Sequence, residues 1–356
     1  CITQYTSSIQ VDKFINKLNN LGIKTYCHYK IPGYPHDVNN IISEEGFGKN
    51  EYIETSRPIV VVTAPGPGSG KMATCMSQLY HENKRGIKAG YAKYETFPIW
   101  NLPLKHPVNL AYEAATADLN DVNMIDPFHL DAYGSLAVNY NRDVEIFPVV
   151  KSMFEAIYGE SIYKSPTDMG VNMVGFAISN EEKAKDASKN EIIRRYLNSI
   201  VDVRNGKTTQ DTIDKIALLM GQLNISIEDR KCVKKALEKR DLTNTVSMAM
   251  ELNDGHIVTS KTSALLSAPA ALILNALKYL SNIPDDVVLI SPAIIEPVSK
   301  MKIENLGNHN PRLHADEVLI ALAISARTNP LAEMAMQKLP ELASCQAHST
   351  AILSQV

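Results

Sequence analysis

The segment "TAPGPGSGKMAT" at 63–74 follows the apolar run "RPIVVV" and places three glycines, a serine and a lysine within six positions. Backbone N–H groups at a helix N-terminus can point at an anion, glycines let it approach closely, and a lysine adds a point charge. Gly66, Gly68, Ser69, Gly70 and Lys71 are therefore candidate ligands for phosphate, free or carried by a nucleotide. The full nucleotide-loop pattern is broken at two places. Pro65 stands where that pattern has glycine, and Met72 stands where a serine or threonine would hold magnesium. A conventional ATP-hydrolysing motor is not expected. The competing reading is a rigid strand-to-helix turn with a solvated lysine.

A second polar cluster, "TADLNDVNMIDPFHLDAYG", carries Asp118, Asn120, Asp121, Asn123, Asp126, His129 and Asp131, with Asn141, Arg142 and Asp143 downstream. Such a density of carboxylates, amides and imidazole suits a divalent metal, or general acid and base work on a phosphorylated substrate. Asp121, Asp126 and His129 carry that expectation. Glu95 joins them, because it ends the next expected strand, where an acid that binds ribose would stand. Turn formation and helix capping compete as explanations, since Asp and Asn favour both and Pro127 supports a turn. "TSKTS" at 259–263 offers a lysine and hydroxyls before a helix start, as an anion site or as a cap.

A third set lies near the end of the chain. "LHADE" at 313–317 and "SCQAH" at 344–348 present His314, Asp316 or Glu317, Cys345 and His348 in the order of zinc deaminase ligands. The match has three departures: Asp316 in place of glutamate, Ser344 of proline and His348 of the second cysteine. A capping histidine and a buried thiol are the plainer explanation.

These residues need elements to hold them. Over 1–150, apolar runs alternate with helical spacing, as in "VDKFINKLNNLG" then "IKTYCHY", which predicts a parallel-sheet, three-layer, Rossmann-like α/β domain. Gly22 and Gly86 fall where helices should end. Over 151–242, Ile192, Ile193, Tyr196, Leu197 and Ile200 recur at helical spacing, as do Ile213, Ile216 and Met220, and "SIED" at 226–229 has capping-box spacing. A helical subdomain is expected there. A hairpin through "NDG" and helices near 264–281 and 315–327 then predict a second α/β domain over 243–356.

Composition bounds the function. The 356 residues are 45% hydrophobic and 21% charged, as in a folded globular protein of two or three domains. Lys and Arg total 36 against 39 Asp and Glu, so no overall attraction to nucleic acid or anionic membrane is expected. The longest apolar stretch, "ALLSAPAALILNAL", is short of the roughly 20 residues a membrane span needs. Five scattered cysteines do not suggest a disulfide scaffold, and a cytoplasmic location is the expectation. The chain opens on "CITQYTSS" and stops on "STAILSQV", both strand-like, which reads as a piece of a longer protein.

The strings "APGPGSGKMATCMSQLYHE", "KAGYAKYETFPIWNLPLKHPVNLAYEAATADLNDVNMIDPFH", "NYNRDVEIFPV", "NPRLHADEVLIALAISARTNP" and "AHSTAILS" together resemble a bacterial family of unknown function, some of whose members are labelled ATP-dependent peptidases. The resemblance runs through nearly the whole chain. It implies an α/β part, a helical part and a further α/β part, in members longer at both ends, and it transfers no catalytic residues. Peptidase chemistry finds no support in the motifs, since neither His-Glu-x-x-His nor a Gly-x-Ser-x-Gly elbow occurs. The leading expectation is an enzyme, a transferase or hydrolase, that takes a small phosphorylated molecule at 66–71. A zinc-dependent deaminase-like hydrolase and a non-catalytic homo-oligomeric scaffold are the alternatives.

Overall fold

A computed structural model describes residues 1–66, 68–94, 98–170 and 174–353. The protein is mixed α/β, with fourteen α-helices and sheets of two or three strands among the described residues. It forms two compact units, Cys1–Ser188 and Lys189–Val356.

The first unit opens with β1 (Ile2–Tyr5), α1 (Ile9–Asn20) and β2 (Cys27–Tyr29), with β1 and β2 parallel. This is the strand–helix–strand unit its periodicity predicts. Ser8 caps α1 by accepting from Val11 N, and Gly22, at φ +74°, ends it: Ile23 N donates back to Leu18 O at 3.0 Å. A short α2 (Val38–Ile41) leads on to α3 (Lys71–Lys84), which Gly86 ends in the same way. Then follow α4 (Pro107–Ala115), β3 (Asn123–Ile125), α5 (Pro127–Tyr133), β4 (Val138–Tyr140), α6 (Asn141–Tyr158) and α7 (Pro166–Met169). β3 and β4 are antiparallel.

The core of this unit is an aromatic and aliphatic cluster in which Met76, Leu79 and Tyr80 of α3 meet Phe147, Val150 and Phe154 of α6. The described residues do not assemble one three-layer sheet. The run at 58–63 joins no ladder among them, with Ile59 and Val61 each 82% exposed.

The boundary between the units falls within α8 (Glu181–Arg204), which is followed by α9 (Gln210–Gln222) and α10 (Lys231–Thr243). Ile192, Ile193, Ile216 and Met220 are buried, as the helical spacing requires, and the Ser226–Asp229 capping box is present. β5 (Ser247–Glu251) and β6 (Ile257–Lys261) form the expected hairpin, with Gly255 at φ +85° in the turn. After α11 (Ala268–Leu280), α12 (Pro292–Glu304), α13 (Ala315–Ser325) and α14 (Pro330–Gln337), β7 (Gln346–Ser349) returns to pair with β5. The sheet order is β6-β5-β7, antiparallel throughout. No helix among the described residues is long and apolar enough to cross a membrane.

One ion pair ties this helical layer together. Lys302 of α12 is 2% exposed, and its ammonium donates to Arg312 O and to Glu317 Oε2, both at 2.7 Å. Glu317→Ala should therefore cost about 3 kcal/mol in urea denaturation, because it strands a buried ammonium. Lys302→Met, which removes the charge itself, should cost less.

Candidate functional site

The glycine loop enters α3 through two backbone conformations that favour glycine, Gly68 at φ +70° and Gly70 at φ +82°. A Cβ at Gly70 would also come within 3.1 Å of the Thr3 side chain. Gly70 is the N-cap and supplies no side-chain acceptor to the helix. The first intrahelical bond is Thr74 N to Gly70 O at 2.9 Å, so the N–H groups of Lys71, Met72 and Ala73 lie beyond reach of the helix's own carbonyls. These three donors and the positive end of the helix dipole face the loop.

The loop is held from within and from β1. Gly66 N donates to Ser69 Oγ at 3.2 Å, Ser69 Oγ donates to Gly66 O, and Lys71 Nζ donates to Gly66 O at 2.8 Å. Thr3 Oγ1 of β1 donates to Ser69 O at 3.1 Å. The four described glycine-loop residues, with Lys71, are thus brought together as the spacing predicts; Pro67 lies outside the described residues. Met72 packs against the hydrophobic core. A thioether there offers magnesium nothing.

Below the loop, α3 is fixed by polar pairs as well as by its apolar face. Asn50 Nδ2 donates to buried Ser77 Oγ at 3.0 Å, and Gln78 exchanges two hydrogen bonds with the backbone of Ile53. The helix end that presents the open donors is consequently a rigid one.

The second polar cluster divides into separate networks. Asp126, fully buried, accepts from Phe128 N and His129 N at the start of α5, and from Thr167 N and Thr167 Oγ1 of α7. Four donors occupy the carboxylate, which makes it a cap and a staple between two helices. His129 Nδ1 lies 3.1 Å from Ser165 Oγ and 3.8 Å from Asp168 Oδ1, with its ring between Trp100 and Tyr133. Asp121 is buried elsewhere, accepting from Arg142 Nη2 at 2.8 Å. Glu95 lies outside the described residues.

Beside these residues stands a group that spacing did not single out. Lys93 Nζ donates to the hydroxyl of buried Tyr140 at 2.7 Å and pairs with Asp143. The only sequence signal was a lysine inside the otherwise apolar run "AGYAKY".

The residues of the zinc expectation are not gathered. Among the described residues no group of three or more His, Cys, Asp or Glu side chains is placed to hold a metal. His314 caps α13 in a capping box with Glu317, and its Nε2 lies 3.3 Å from Asn310 Nδ2. Asp316 is exposed, and Cys345 Sγ donates to Glu341 O at 3.5 Å. His348 lies on β7 opposite Ala249. "HADE" is a helix start, and its glutamate is committed to Lys302. "TSKTS" likewise stops short of a helix: α11 begins after Ser267, whose side chain makes no capping hydrogen bond, and Ser263 Oγ accepts from Leu266 N at 3.0 Å.

The second unit also contains an open cavity of about 540 Å³ lined by His256, Thr259, Asn275, Tyr279, Asn282 and Asp285 among others. Its His256 and Tyr279 rings stack at 3.9 Å, and the Tyr279 hydroxyl donates to Asp254 Oδ2 at 3.1 Å.

Comparison with known proteins gives a match of residues 1–224 to the family model "Domain of unknown function DUF1846, N-terminal" and of residues 228–356 to "Domain of unknown function DUF1846, C-terminal". A UPF0371 protein of Streptococcus thermophilus (strain CNRZ 1066) is 57% identical over 353 residues, 99% of this chain and 72% of that protein. A UPF0371 protein of Streptococcus pyogenes serotype M3 (strain ATCC BAA-595 / MGAS315) is 56% identical over 354 residues, with the same shares covered.

Two outcomes follow from the buried groups. Asp126→Ala should destabilise the protein by about 3 kcal/mol in urea denaturation, by leaving the buried Thr167 donors without an acceptor. Burial, reinforced by the Arg230 charge, pushes the His348 imidazole below its ordinary value of 6.5. Below that value the unfolded chain takes up a proton that the folded one resists, so stability falls as pH drops from 6.5 toward the lowered folded value. The urea midpoint of His348→Gln should therefore decline less than that of the native protein between about pH 7.5 and 5.5.

Proposed function

The chain belongs to the DUF1846 family, and from the geometry of its glycine loop we propose that it binds a small molecule through a phosphate group seated on the N-terminus of α3. The observation that carries this reading is the start of α3: a glycine cap with no side chain, three N–H groups without intrahelical partners, and a lysine at the first helical position. An anion there would accept from the N–H groups of Lys71, Met72 and Ala73. The Lys71 ammonium, which rests on Gly66 O, would turn to it. Gly66, Gly68 and Gly70 keep side chains away from the approach, and Ser69 holds the loop's curvature through Gly66.

The architecture around the loop supports the same reading. We read β1, β2 and the β-branched run 58–63 as strands of a Rossmann-like parallel sheet, with the loop at the carboxyl end of one of them. That is where open α/β sheets place their ligands. A nucleotide or a phospho-sugar fits the chemistry, and the enzyme is on this reading a transferase or hydrolase. The core-packed Met72 favours contact with the phosphate through backbone donors and lysine over a magnesium bridge.

Thermal unfolding against inorganic phosphate, nucleotides and sugar phosphates tests it. A ligand present at about 100 times its dissociation constant should stabilise the protein by about 2.7 kcal/mol. Lys71→Met should lose most of that shift while keeping the ligand-free melting temperature. No shift with any of these anions, or an equal shift in the variant, would remove the assignment.

A further inference from the structure

Two apolar surfaces of the first unit are incompletely covered. The run at 58–63 contains Ile59, Val60, Val61 and Val62, which are 82%, 52%, 82% and 36% exposed. Consecutive β-branched residues are the composition of a strand buried on both faces, because neighbouring side chains of an extended chain point to opposite sides. Here both sides face solvent. The backbone of the run joins no ladder among the described residues.

The second surface is α1. Val11, Phe14, Ile15 and Leu18 recur at i, i+3, i+4 and i+7, the stripe by which a helix attaches to a core. No residue of α1 is buried: Val11, Ile15 and Leu18 are half-buried, and Phe14 is 52% exposed. The buried core of the unit, built on α3 and α6, takes no member from β1, α1 or the run. Thr3 of β1, the strand before α1, is hydrogen-bonded to Ser69 of the loop that follows the run.

The family supplies an occupant. The Streptococcus thermophilus relative is matched over 72% of its length, so more than a quarter of that chain lies outside the match. We propose that the run at 58–63 and the apolar stripe of α1 form a docking face for a further strand-bearing layer provided by that additional length of the family chain. The strand that leads into the glycine loop is then an interior strand in the longer protein.

A second copy of the chain fits the face less well. Isologous pairing of two exposed edges would satisfy backbone groups along one edge, whereas a strand apolar on both faces needs cover above and below as well. A layer of strands and helices from the same chain provides all three.

Hydrogen exchange can test this on two proteins, the 356-residue chain and the longer Streptococcus thermophilus relative. Amides of the run should exchange at least about 100-fold more slowly in the longer protein, and rapidly in the 356-residue chain at every protein concentration. A paired substitution supplies a second readout: Ile59→Lys with Val61→Lys, and the same change at the aligned positions of the relative. It should leave the melting temperature of the 356-residue chain nearly unchanged, and lower that of the longer protein by about 5 °C or more. Fast exchange in both proteins would overturn the proposal, as would equal thermal losses. Protection in the 356-residue chain that grows with its concentration would overturn it too, and would assign the face to a second copy.

Discussion

The seating of α3 against α6 is the constraint on which the first unit depends. Met76, Leu79 and Tyr80 are buried with Phe147, Val150 and Phe154, and the polar residues between them are paired: Ser77 with Asn50, Gln78 with the backbone of Ile53. A helix fixed along one face has little freedom to slide or rotate. Its first turn shares that packing through Met72 and is therefore presented at a fixed place and angle. The open donors of that turn are backbone groups whose direction the helix already determines.

The same economy explains why so many polar residues of the first unit are unavailable for chemistry. A carboxylate at a helix start has two oxygens to fill, and Asp126 fills both, spanning α5 and α7. Asp121 is matched with Arg142, and Asp143 with Lys93. In the second unit Glu317 serves two elements at once, capping α13 through His314 N and holding the Lys302 ammonium. Residue types that suit metal and acid–base chemistry are also those that close helix ends and neutralise buried charge. Density along the chain does not separate the two uses; only the directions of the side chains do.

This is also where legibility in the sequence ends. Helices with regular apolar spacing, the capping box at Ser226, the C-terminal glycines at 22 and 86 and the hairpin around Gly255 were all readable, because each depends on residues within a few positions of one another. The glycine loop was readable for the same reason. The fate of "LHADE" and "SCQAH" was not: whether four side chains thirty residues apart converge depends on how α13 and β7 are placed, and no local spacing encodes that. The Lys93–Tyr140 contact, between residues 47 positions apart, was hidden for the same reason.

The run at 58–63 shows a different separation, between propensity and pairing. Its β-branched residues favour extended backbone, yet a segment becomes part of a sheet only when a neighbour supplies the opposite half of each hydrogen bond, and the run joins no ladder among the described residues. Composition therefore specifies the conformation of such a segment without specifying its partner. The run carries hydrophobic side chains on both faces and leads directly into the loop at the head of α3. The position of that loop is set from one side by the buried helix and from another by the Thr3 hydroxyl of β1, which holds Ser69 O.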